Sequence, residues 1–281
     1  MVIALVVVKS VLKPRLPHLS YPLSRHIRYS FALHNNSNRA VKDAEFRTYA
    51  PVKQTATQRC EQLKSSHPYQ LLDDELGNQT LHFTFALIPP YATRIVTVEA
   101  TLLLADQANQ LEVNDLAIFL QPEKFLECEA VELRRLAGDL KAVKPLQTAE
   151  NIFRWIVKNV RYSGYLRDAR GARYALLHKE GDCTEFMYLF AALCRANNIP
   201  ARCVGGYVLR ESTILHPADY HNWAEFYADG AWRIADPQKK NFMKNQSRYV
   251  AMRNIAAVAD GPMAQFSRFR FVGNGLQVKM N

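Results

Sequence analysis

The sequence predicts an α+β chain in two parts, an N-terminal antiparallel β-sandwich over residues 1–120 and a unit of helices followed by strands over 121–281. Three observations carry this division. Across the first hundred residues apolar side chains recur at every second position, the period of a half-buried strand. Between about residues 108 and 128 the alternation stops, and "QPEKFLE" reads as a linker. Helical spacing then takes over, and strand-like runs return after residue 200.

Taken in order, "MVIALVVVKSVLKPRL" opens with an apolar run that predicts a first strand. No basic segment precedes it, no small-residue cleavage site follows, and it is too short to span a bilayer, which favours a cytoplasmic protein without a membrane-spanning segment. "IRYSFALH" places Ile27, Tyr29, Phe31 and Leu33 on one face, and "LHFTFAL" does the same with Leu81, Phe83, Phe85 and Leu87. "RIVTVEATLLL" continues the pattern through Val96, Val98, Ala100 and Leu102. Turn chemistry at "HNNSNR", "DDELGNQ" and "PPYA" separates these strands. The stretch "VKQTATQRCEQLKSSHP" fits either a strand or a short helix.

Beyond the linker, Val131, Leu133, Leu136 and Leu140 recur near helical spacing. So do Ile152, Trp155, Ile156 and Val160, with Thr148 placed to cap the second helix. A third helix begins at Cys183, buries Phe186, Met187, Phe190, Leu193 and Cys194, and stops at "NNIP". "RCVGGYVL", "HNWAEFYA" and "AWRIAD" then read as strands.

Composition limits the function classes. Apolar residues make up 48% and charged residues 22%, the balance of a folded globular chain. The net charge of +10 is concentrated after residue 128, yet no Lys/Arg block or basic stripe with interleaved aromatics occurs, so a solvated basic surface is expected and a nucleic-acid partner is not. The five cysteines are odd in number and lack a C-x-x-C spacing, which argues against a disulfide framework and a zinc site. No acidic loop of calcium-binding spacing is present, and no cofactor is expected. Oligomeric state is left open.

One cysteine stands apart. In "EGDCTEF" Cys183 falls in the first turn of a helix, Asp182 can cap that helix, and Gly181 leaves room for a substrate backbone. Unpaired N–H groups and the helix dipole at such a position lower a thiol's pKa, which makes Cys183 a candidate nucleophile. Cys194, three turns on along the apolar stripe, reads as core. Downstream, "DYHNWAEFYADGAWRIADPQ" holds Asp229-Gly230, a strong hairpin signal. A two-residue turn there sets His221 diagonal to Asp236 on one sheet face, and a four-residue loop sets them opposite; a three-residue loop separates them. Cys183, His221 and Asp236 would then supply a nucleophile, a base and a carboxylate that fixes the base's tautomer. His216, beside Pro217, is the nearby rival to His221. Arg167, Arg170 and Arg173 cluster ahead of the cysteine and read as a solvated loop, and "RESTILHPADY" as a loop over the cleft.

"RGARYALLHKEGDCTEFMYLFAALCRANNIPARCVGGYV" followed by "HNWAEFYADGAWRIADPQ" closely resembles the core of the transglutaminase-like superfamily, over residues 129 to 240 and including "WIVKNVRYS". The N-terminal strands and "FVGNGL" are similar to parts of multidomain bacterial members. The resemblance implies a papain-like fold with the cysteine's helix packed on an antiparallel sheet, and a triad of Cys183, His221 and Asp236. It also implies acyl transfer on an amide through a thioester, with a protein or peptide substrate and an amine or water as acceptor. The Cys183 N–H is a natural oxyanion donor, with Trp155 and Tyr162 available as a second. The competing class is a catalytically idle fold of this kind serving as a protein-binding module.

Overall fold

A computed structural model describes residues 19–112, 115–255, 263 and 268–281, so the strand expected in the first sixteen residues lies outside the described residues. In β1 (Leu23–Asn35) the alternation does what the sequence predicts: Ile27, Tyr29, Phe31 and Leu33 are buried. It is followed by β2 (Val41–Ala50), β3 (Gln58–Ser65), β4 (Gln70–Asp73), β5 (Gln79–Ile88) and β6 (Thr93–Leu104). One sheet pairs β1, β6 and β3, the other β2, β5 and β4, and their inner faces meet in a core that includes Phe46, Phe83, Val96 and Leu102. The ambiguous stretch after residue 51 is therefore strand, at β3. Leu87 departs from expectation and is 47% exposed. Asp43 takes a left-handed backbone, φ 49°, between the Lys42–Leu87 and Ala44–Phe85 pairs, and the alternation of both strands slips by one residue there, burying Ile88 instead.

The second part holds α1 (Val131–Leu140), α2 (Pro145–Asn159), β7 (Arg161–Tyr162), α3 (Ala172–His178), β8 (Glu180–Gly181) and α4 (Cys183–Ala196). Every residue of α4 from Glu185 to Arg195 is buried, because α1, α2 and α3 pack on some of its faces and sheet strands on another. Two expectations change. Val131 is 79% exposed, and α1 turns Leu133 and Ala137 inward instead. Helix α2 begins at Pro145, whose fixed φ suits a first position, so Thr148 is not its cap. Thr148 instead sits inside the first turn and accepts the Ala142 N–H at 2.9 Å.

The chain continues through β9 (Ala201–Val208), β10 (Thr213–Ile214), β11 (Tyr220–Ala228), β12 (Ala231–Asp236), β13 (Asn241–Phe242), β14 (Tyr249–Ile255), β15 (Phe269–Val272) and β16 (Leu276–Met280). A five-stranded sheet in the order β13-β12-β11-β9-β14 supports α4. β9 and β14 approach closely because Gly206 has no side chain: a Cβ there would stand 2.0 Å from the Val250 carbonyl oxygen. The remaining three strands leave this sheet and return to the sandwich, β10 and β16 against β1 and β15 against β2. The sandwich is thus completed from beyond the 120/121 division. Buried side chains also join the two parts: Gln58 donates to the Val52 and Ala251 carbonyls and accepts the Ala251 N–H at 2.9 Å, while Asn78 accepts the Asn254 N–H. Among the described residues no helix is long and apolar enough to cross a membrane.

Candidate active site

The first turn of α4 is fixed by reciprocal capping. Asp182 accepts the Thr184 N–H at 2.7 Å, and Glu185 reaches back to accept the Asp182 N–H at 3.1 Å. Their second oxygens hold the preceding loop, Asp182 accepting from Leu166 N and Glu185 from Arg170 N. Gly181 is required here for packing, since a Cβ would lie 2.3 Å from the Glu185 Cβ. That is a different reason from the room for substrate that the sequence suggests.

Cys183 stands at the head of this helix, partly exposed, in a cleft of about 550 Å³ that His221 also lines. The lowered thiol pKa expected from the helix N-terminus is not what the surroundings produce. Burial and the Asp182 carboxylate push the Cys183 thiol up to about 11, against smaller downward pulls from the Asn222 backbone N–H and the Thr184 hydroxyl. Both raising effects outweigh the helix dipole: the thiol is largely buried, and the capping group that orders the turn is itself an anion beside the sulfur.

The hairpin takes the two-residue turn. Asp229 and Gly230 have φ 51° and 77°, the left-handed pair of a type I′ turn, and Ala228 pairs with Ala231. His221 and Asp236 are buried, and His221 Nε2 lies 2.7 Å from Asp236 Oδ2. Tyr249 donates its hydroxyl to the same oxygen at 3.0 Å, and the Lys239 N–H donates to Oδ1 at 3.1 Å. Three donors therefore fix the carboxylate, and the carboxylate fixes the imidazole. Asn222, the next residue, donates from Nδ2 to the Thr184 hydroxyl at 3.0 Å and ties β11 to the turn that carries Cys183.

The other candidates separate. His216 is exposed and does not border the cleft. Arg170 stacks on Tyr174 and Arg173 pairs with Glu132 at 2.8 Å; with Arg167 they stay outside the cleft lining. Trp155 lies under the Lys179 ammonium, 4.2 Å from its ring. Tyr162 borders the cleft, and burial together with Cys183 and Asp182 raises its phenol. Cys194 is fully buried, as its place on the helix suggests. Tyr249, Asn222 and Lys239 were not anticipated. Asn222 had a signal, being adjacent to His221, whereas Tyr249 reaches Asp236 only through the pairing of β14 with β9.

Residues 134–237 match the family model of the transglutaminase-like superfamily. The chain carries a transglutaminase-like core. This core spans α1 to β12 and so includes the turn bearing Cys183 and the His221–Asp236 hairpin. A proposed cysteine protease from Cytophaga hutchinsonii is similar in fold, at 21% identity and a TM-score of 0.58 over 92% of each chain. The periplasmic domain of TgpA from Pseudomonas aeruginosa is 17% identical with a TM-score of 0.40, over 71% of this chain and 91% of its own. Comparison with curated proteins gives no match.

Proposed function

We propose that the transglutaminase-like core performs cysteine-dependent acyl transfer on amide bonds of a protein or peptide. The observation that carries this reading is a buried imidazole, oriented by a carboxylate at 2.7 Å, lining one cleft with a thiol at a helix N-terminus. Because the resting thiol is pushed up to about 11, attack requires a base, and His221 fills that role. Its Nε2 is committed to Asp236, which leaves Nδ1 for the sulfur's proton. As the Cys183 Sγ–carbon bond forms, the thiol proton passes to Nδ1 and negative charge collects on the carbonyl oxygen. In this reading the Cys183 N–H, in the first turn where no intrahelical acceptor is available, stabilises that oxygen, and the Tyr162 hydroxyl, which lines the same cleft, is the candidate second donor. The carbon–nitrogen bond then breaks, and the imidazolium returns the proton to the departing amine or ammonia. An amine or water attacks the thioester, gives its proton to His221, and releases Cys183. The acceptor decides between crosslinking and hydrolysis.

The raised thiol favours one second reading, a catalytically idle core that binds protein. Two assays separate them: incorporation of a fluorescent primary amine into a glutamine-rich protein, and peptide hydrolysis. Activity in either that disappears in Cys183→Ala supports acyl transfer; inactivity in both, with an unreactive thiol, favours binding alone.

A further inference from the structure

The loop joining β9 to β11 has two sides. Its beginning, Leu209 to Glu211, borders the cleft that holds Cys183 and His221. Ser212 to Ile214 border a second hollow, of about 450 Å³, on the outer face of the sandwich, and Thr213 borders both. The junction is held in place. Thr213 and Ile214 pair in parallel with Ile27 and Arg28, Ser212 Oγ accepts the His26 N–H at 2.9 Å, and the Leu215 N–H donates to the Arg28 carbonyl at 2.8 Å. A loop pinned in this way presents cleft and hollow at a fixed spacing. An extended chain crosses one strand, about 4.8 Å wide, with roughly two residues.

The floor of the hollow is charged. Glu99 on β6 lies in cross-strand register with Arg28 on one side and Lys64 on the other, and Arg28 Nε is 3.9 Å from its carboxylate. Two cations thus face one anion, and Gln62 and Thr101 contribute neutral hydrogen-bonding groups beside them. We infer that the hollow is an exosite for the polypeptide substrate, receiving an acidic side chain from the stretch that leaves the cleft over Thr213. The inference rests on the proposed acyl-transfer site for its reactive end, while the charge surplus selects the flank.

The test uses full-length Cys183→Ala, which binds without turnover, and fluorescent peptides with a central glutamine. The flanks are acidic on the N-terminal side, acidic on the C-terminal side, or uncharged. One acidic flank should tighten binding about fivefold or more at low salt, the scale of an exposed charge pair with cooperating hydrogen bonds. Adding Lys64→Glu should erase that gain and leave the uncharged peptide's affinity unchanged. Equal binding of all three peptides, no binding of any, or a gain that survives Lys64→Glu would overturn the exosite. The amine-incorporation assay judges the chemistry separately: turnover without flank dependence removes the exosite alone, and flank-dependent binding without turnover removes the chemistry alone.

Discussion

Around Cys183, burial and the Asp182 charge hold the proton on sulfur, and the proposed mechanism gives His221, which lines the same cleft, as its acceptor. Removing the imidazole should leave only the former. In His221→Ala the alkylation rate of Cys183 should rise about tenfold per unit of pH until it levels near 11, since only the thiolate reacts and its fraction grows as pH climbs to the thiol's own value. The unaltered protein should already react near neutral pH; identical profiles would remove His221 from the site. Asp236 is tested through its donors. Tyr249→Phe deletes one of three and should slow turnover modestly, with a stability loss of about 1 kcal/mol. Asp236→Asn presents an amide where an anion held the imidazole and should cost a factor of about 10⁴ in kcat. Equal effects from the two substitutions would mean that the carboxylate does not orient the base. The hairpin made two of these residues legible, because Asp229-Gly230 dictates the register that joins them. Tyr249 was hidden, since a local pattern says nothing of a strand that arrives by pairing elsewhere.

At the level of elements, α4 is central, since it is buried from Glu185 to Arg195 and carries Cys183 at its head. Its cap was readable from "GDCTE", yet burial first and then the same carboxylate raise the thiol against expectation, because a cap acts electrostatically as well as through its hydrogen bonds. Asp182→Asn keeps a good capping side chain and removes the charge, so stability should change by less than about 1 kcal/mol while the Cys183 thiol titrates below its present value of about 11. Alkylation against pH with His221→Ala as the common background, measured beside thermal unfolding, separates the two; an unmoved thiol would contradict the role given to Asp182. Periodicity identified α4 as a helix but understated its burial, because a helix enclosed on all sides has no polar face to contrast with its apolar stripe. It misplaced Val131 and Leu87 for local reasons, the rotation of a short helix and a kink at Asp43.

Over the whole molecule the sandwich is completed by strands that follow or interrupt the transglutaminase-like core, so the two parts do not simply meet end to end. Alternation revealed the long strands, but β15 and β16 are 4 and 5 residues long and are strands because β2 and β1 lie beside them. Ending the chain after Ile255 would remove both, uncover β1 and β2, and lose the burial of Leu276 and Met280. Stability should fall by about 3–6 kcal/mol, seen as a lower Tm and a tendency to aggregate through the bared strands. Unchanged melting would contradict the shared architecture. Uptake of an acyl group by Cys183 with help from His221 is read by mass spectrometry of the protein quenched in acid during reaction with a glutamine-rich protein. An acyl increment on the peptide containing Cys183, removed by hydroxylamine and missing from His221→Ala, is the expected result; an increment on a different cysteine, or none on Cys183 while substrate is being consumed, would contradict it.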